Sequence, residues 1–286
     1  MVADAHNDFL TAVKDKAERE QIVKDFVKNG VKVLSCAVFT TEQQLKIEDI
    51  ESFDKEIKEY NKKYNCNFLL SIEDIGFVKS KTDLDRLIKL KPISVTLTWN
   101  FNNQFAGGAQ DNGGFTKLGK TVVKILEQNN ILVDTAHLNK KSFWQFVKIS
   151  SKPIYCSHAN IFSLRKHKRN LTNKQIEKIV ETNGFLGLTL YQDFVSNGQI
   201  KAEHIAKQFA YLSNKHGSKN FGLGTDFFGS DRDKFPKDVT SYADFKHIEK
   251  ALKIIKFTGK TIAYITHKNY IYFLQAQGID LKNFKG

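Results

Sequence analysis

The sequence predicts an α/β fold, a single closed (β/α)8 barrel, on three observations. Eight short apolar runs are separated by segments with helical spacing, five of those runs end at ionisable residues, and the length of 286 residues suits a barrel that typically takes roughly 250. An open sheet would scatter several of the ionisable ends, whereas a barrel brings the C-terminal ends of all its strands to one mouth.

The first run carries Asp4-Ala5-His6-Asn7-Asp8. Its three metal-competent side chains lie two residues apart, a spacing that puts them on one face of an extended segment. Ile22, Phe26 and Val27 follow at helical spacing, and the second run, 34–39, ends without an ionisable group. The third, Asn67–Ile72, stops at Glu73, with a helical stripe of Leu84, Leu87 and Ile88 after it. The fourth, 93–98, ends at Trp99. Val122, Val123 and Leu126 lead to the fifth, 131–136, which ends at His137. The sixth, 153–157, ends at His158, and Thr172 is placed to cap a helix bearing Ile176, Ile179 and Val180. The seventh, 185–190, stops at Tyr191 and the eighth, 220–225, at Asp226.

A doubly wound dinucleotide fold would need a glycine-rich phosphate turn after the first strand. The pairs Gly107-Gly108 and Gly113-Gly114 lie instead in the long loop after the fourth. With three prolines and no linker-like stretch, one domain over 1–286 is expected.

The formal charge of +13 raises the question of nucleic acid or anionic membrane. Lysines such as Lys55, Lys58, Lys62 and Lys63 are spread over helix candidates, so a solvated surface is expected, with no nucleic-acid partner and no membrane. No apolar run approaches the ~20 residues of a bilayer span, and no secretory leader is read at the N-terminus. Cys36, Cys66 and Cys156 are odd in number, and two lie in apolar runs. Buried thiols in a reducing, cytoplasmic compartment are expected.

The ionisable strand ends suggest a metal centre. His6 and Asp8 can hold one ion, His137 and His158 a second, and Glu73 has two oxygens with which to bridge ions about 3.5–4 Å apart around a shared water. Imidazole and carboxylate suit Zn2+ best, with Mn2+ or Co2+ as possible substitutes. Asp226 is placed across the mouth as a proton shuttle, and Asp4 as a supporting residue one step deeper on the ligand face. A lone histidine at a strand end is usually a hydrogen-bonded core or loop residue, but unrelated core residues have no reason to recur at the same end of different strands. His167, His204, His216, His247 and His267 lack that placement and read as surface or loop histidines.

The chain resembles the membrane dipeptidase (renal dipeptidase) family of zinc metallopeptidases over nearly its whole length. The resemblance rests on Asp4 to Asp8, Asp134-Thr135-Ala136-His137, Ser157-His158, Arg169-Asn170, and Gly222-Leu223-Gly224-Thr225-Asp226-Phe227. It implies a TIM-type, metal-dependent-hydrolase-like barrel in which His6, Asp8, Glu73, His137 and His158 hold two zinc ions and Glu73 bridges them. It also implies that Arg169 and Tyr191 bind the substrate carboxylate, although Arg169 alone would read as an exposed member of the basic run 165–169. A guanidinium suits that role because it pairs bidentately with a carboxylate.

Two positions depart from the family pattern. Thr96-Leu97-Thr98 is followed by Trp99 and Asn100 where well-studied members have His, so Trp99 and Asn100 are expected to line the substrate subsite. Glu73 is followed by Asp74-Ile75-Gly76 rather than Gly-Gly. The expected activity is hydrolysis of dipeptides, tolerating a C-terminal D-residue, by an enzyme that pairs as a homodimer. The alternatives are another amide or lactone hydrolase on the same metal site, or a catalytically silent barrel that binds an acidic partner.

Overall fold

The computed structural model describes residues 1–39, 46–282 and 284. Eight parallel strands close into a barrel in sequence order. They are β1 Val2–Asn7, β2 Val31–Val38, β3 Asn67–Ile72, β4 Ser94–Thr96, β5 Leu132–Asp134, β6 Tyr155–Ala159, β7 Phe185–Leu188 and β8 Phe221–Leu223. Asp4 against Leu223 closes the ring. All eight strand candidates form, and amphipathic helices such as Lys117–Gln128 and Asn173–Glu181 cover the outside.

Several strands are shorter than their apolar runs, because the chain leaves the regular ladder before it leaves the barrel wall. Backbone bonds continue past the ends, from Leu190 N to Thr225 O at 3.1 Å and from Asp226 N to His6 O at 3.1 Å. His158 lies within β6 rather than beyond it. Thr172 caps its helix as expected, with Gln175 Oε1 accepting from Thr172 N at 3.0 Å.

Alternation fails in β1. Its register against β2 slips between Asp4 and Asn7, and a bulge of this kind changes which face later side chains take. Asp4 therefore does not share the face of His6 and Asp8, contrary to the two-residue spacing. Its carboxylate accepts from Thr225 N at 2.8 Å, Thr225 Oγ1 at 2.5 Å and Tyr242 OH at 2.5 Å, tying β1 to the segment after β8. A second slip, in β6 between Cys156 and Ala159, lets Tyr155 pack in one apolar layer while His158 reaches the mouth.

The larger apolar layer lies between strands and helices. A smaller one, with Ala3, Ala5, Val33, Leu132, Tyr155 and Phe185, is completed by Tyr270, Ile271, Phe273 and Leu274 of the helix Asn269–Ala276. Close strand approach explains Gly224, where an added Cβ would lie 1.8 Å from Ser157 O. Cys36, Cys66 and Cys156 are free and buried. Among the described residues, no helix is long and apolar enough to cross a membrane.

Candidate metal centre

His6, the penultimate residue of β1, has its Nε2 3.3 Å from Asp8 Oδ2, 3.2 Å from Glu73 Oε2 and 3.9 Å from Asp226 Oδ1. Glu73 directly follows β3, held by its N–H to Val38 O at 3.1 Å. Its other oxygen, Oε1, lies 2.6 Å from His137 Nε2 and 3.9 Å from His158 Nε2. The two imidazoles face each other, Nε2 to Nε2, at 2.9 Å. Two groups of donors lie close enough to share a cation, His6 with Asp8 and Asp226, and His6 with Glu73 and His158, while His137 Nε2 adjoins both Glu73 and His158.

Local backbone aims these groups. His137 at φ 68° and Asp226 at φ 63° adopt the left-handed conformation just past their strands, which is uncommon for residues other than glycine and concentrates at functional sites. Asp74 shares it at φ 65°. Its N–H donates to Thr96 Oγ1 at 2.7 Å, and its Oδ1 accepts from Gly76 N at 2.7 Å. Asp is among the residues that tolerate this region by bonding locally, so Asp74 supplies the turn after Glu73 without the usual glycines.

The donor set fits a divalent cation. His6 Nε2 and both Asp8 carboxylate oxygens are buried without a hydrogen-bond partner. His137 Nδ1 bonds Asn100 Oδ1 at 3.0 Å, and an amide oxygen can only accept, so the ring proton sits on Nδ1. The Nε2 lone pair then faces the Glu73 carboxylate, an arrangement that calls for a cation between them. His158 Nδ1 is likewise occupied, by Ser157 Oγ at 2.8 Å. Nitrogen and oxygen donors of this kind suit zinc and its neighbours.

The charges are strongly coupled. Burial would raise the Glu73 carboxyl, but positive charge beside it, on His137 and His6 when they carry a second proton, holds it well below its usual range. Burial would lower His6, and the Asp8 and Glu73 carboxylates reverse that to well above the ordinary value. Asp226 is pushed well above the carboxylate range by burial and by Asp8 beside it.

Asp8, Glu73, His137 and Asp226 border a cavity of about 410 Å³ that also reaches Trp99, Asn100, Arg169 and Tyr191. Arg169 is not exposed. It is only 5% accessible, its Nε and Nη2 have no partner, and its guanidinium lies over Phe194 at 5.4 Å from the ring centroid. Tyr191 OH donates to Asp193 Oδ2 at 3.1 Å. Trp99 packs between Phe39 and His137, with ring centroids 5.2 and 5.8 Å away.

Asn100, expected only as a wall of the subsite, also accepts from His137 Nδ1, a contact that no local sequence pattern signals. His167, expected at the surface or in a loop, lies half-buried in the loop after β6 and also borders the cavity, its Nδ1 accepting from Arg169 N at 3.2 Å. Its place two residues before Arg169 was the available signal. Gln110, Asp193 and Phe194 also line the cavity and were not singled out.

Comparison with known proteins gives the family and the fold. Residues 9–279 match the family model described as Membrane dipeptidase (Peptidase family M19), a span that begins just after Asp8. Two uncharacterized dipeptidases of Schizosaccharomyces pombe are similar, one 29% identical over 56% of this chain and 41% of its own length, the other 24% identical over 88% and 59%. The chain thus spans about half the length of these curated relatives. The crystal structure of a metallo peptidase from Rhodobacter sphaeroides, liganded with a phosphinate mimic of the dipeptide L-Ala-D-Ala, has the same fold. It matches with a TM-score of 0.83 at 18% identity, covering 96% of this chain and 98% of that one.

Proposed function

The chain belongs to the membrane dipeptidase family, and from that premise we propose that it is a zinc-dependent dipeptidase with a binuclear centre. The observation that carries the proposal is the placement of Glu73, with Oε2 toward His6 and Oε1 toward His137. His6 and Asp8 would hold one ion, His137 and His158 the other, and Glu73 would bridge. When bound, such ions supply Lewis-acid polarisation of the scissile carbonyl and acidify the attacking water.

The chain's own residues do the rest. Arg169 pairs its open Nε and Nη2 edge with the free C-terminal carboxylate, which fixes the scissile bond one residue away. Tyr191 turns its hydroxyl from Asp193 to the same carboxylate. Trp99 and Asn100 line the opposite wall, and Trp99 helps exclude solvent. As water oxygen bonds to the carbonyl carbon, Asp226 takes the water proton on a carboxylate oxygen, then delivers it to the departing amine nitrogen as the C–N bond breaks. Tolerance of a D-residue at the C-terminal position is part of this proposal, and the ligand of the Rhodobacter relative is its cue. So are a homodimer and a cytoplasmic setting, the latter supported by the buried free thiols.

The test is a panel of L,L and L,D dipeptides against N-acyl amino acids and lactones, using zinc-reconstituted protein. Dipeptide hydrolysis with about two zinc ions per chain is expected. Turnover of only the other amides or lactones moves the protein to a different hydrolase activity. Fewer than one ion per chain with no hydrolysis leaves a silent binding barrel.

A further inference from the structure

We propose that a second cavity, beside the metal centre, is an anion-accepting subsite, and that the preferred substrates are dipeptides whose C-terminal residue carries a carboxylate side chain. The proposal rests on the dipeptidase reading for the direction in which substrate lies. The second cavity, about 300 Å³, shares Gln110, His167 and Arg169 with the cavity over the metal centre, so these three residues form a common wall.

Charge changes sign across that wall. The metal-centre side is bordered by Asp8, Glu73, Asp193 and Asp226. The far side has Lys140, Lys168 and Arg169 against one acid, Asp111, whose Oδ2 already accepts from Asn102 N at 2.6 Å. Among the described residues, neither lysine is paired with an acid, and Lys168 Nζ reaches only Gln110 O, at 3.3 Å. Arg169, buried in the wall, is taken up by the α-carboxylate, so Lys140 and Lys168 are what the far side offers a second anion. Because His167 Nδ1 accepts from Arg169 N, its ring proton lies on Nε2, which adds a donor.

Connectivity then fixes what the cavity receives. The α-carboxylate and side chain of a residue leave the same Cα, so a residue clamped by Arg169 starts its side chain beside the shared wall. A carboxylate entering the cationic space gains attraction from Lys140 and Lys168 that an amide of the same shape does not. Both lysines are exposed, so salt weakens the preference.

The experiment compares isosteric pairs, L-Ala-L-Glu with L-Ala-L-Gln and L-Ala-L-Asp with L-Ala-L-Asn, together with the matching D-residues at the C-terminal position. It uses the zinc-reconstituted full chain and measures kcat/KM and, by calorimetry, binding. The acid should exceed its amide at least tenfold at low salt, and a Lys140→Met, Lys168→Met double variant should reduce that ratio to about threefold or less. Equal rates within each pair, or a ratio that survives the double substitution, would overturn the subsite. If no dipeptide is cleaved, the dipeptidase reading fails, and the subsite is judged on binding alone: equal Kd for Glu and Gln partners overturns it, and a tenfold gap upholds it.

Discussion

Glu73 faces His6 with one carboxylate oxygen, at 3.2 Å, and His137 with the other, at 2.6 Å. A carboxylate shared in this way between two donor clusters has the form of a bridge, and it ties residues from β1, β3 and the end of β5 into one unit.

Asp226→Asn keeps shape and removes the base. If Asp226 moves the proton, kcat/KM falls by about 10²–10⁴, the usual contribution of a general acid–base, while metal content measured by elemental analysis stays at the wild-type level. Full activity would rule out the shuttle. Loss of one ion would make Asp226 a ligand instead, consistent with its place beside His6 and Asp8.

Arg169→Met should raise KM for dipeptides by about tenfold or more, because a charge-assisted bond to a carboxylate is worth roughly 1.5–3 kcal/mol. The variant should also lose the distinction between dipeptides and their C-terminal amides. Wild-type discrimination retained in the variant would place carboxylate recognition elsewhere.

Asp74→Ala should destabilise the protein by about 1 kcal/mol or more, since alanine at φ 65° is strained and loses the bonds to Gly76 N and Asn103 Nδ2. Asp74→Gly should cost less in chemical denaturation. Both variants lose the same side-chain bonds, so the reverse order would mean that the left-handed backbone conformation does not penalise alanine here.

Glu56 pairs bidentately with Arg19, at 2.7 and 2.8 Å, and accepts from Tyr60. Burial would raise its carboxyl, but Arg19 and Tyr60 hold it below the ordinary value. A lowered folded-state pKa means stability that is present above the unfolded value of about 4.3 and lost as pH falls through the folded value. Glu56→Gln should therefore cost roughly 1.5–3 kcal/mol near pH 7, the usual contribution of a hydrogen bond to a charged group. The gap to wild type should narrow as pH falls below about 4.3 and close only below the lower folded value. A gap independent of pH would assign the loss to packing.

Much of this site was legible because strand ends are marked locally: an apolar run stops, and Glu73, His137, His158 or Asp226 stands there. The barrel followed from the recurrence of that pattern. What was hidden depends on contacts across the fold. The slip in β1 that turns Asp4 toward Tyr242 breaks a two-residue period that the sequence states plainly. Asn100 orients His137 across 37 positions. Arg169 is buried although its neighbours Lys166 and Lys168 are exposed. Only the family resemblance singled it out, because composition gives five basic residues no order of depth.

The most direct measurement is anomalous diffraction at the zinc edge on crystals of zinc-reconstituted protein. Two peaks about 3.5–4 Å apart are expected, one beside His6 and Asp8, the other beside His137 and His158, with Glu73 reaching both. A single peak, or two with Glu73 turned away from either, would contradict the bridged centre.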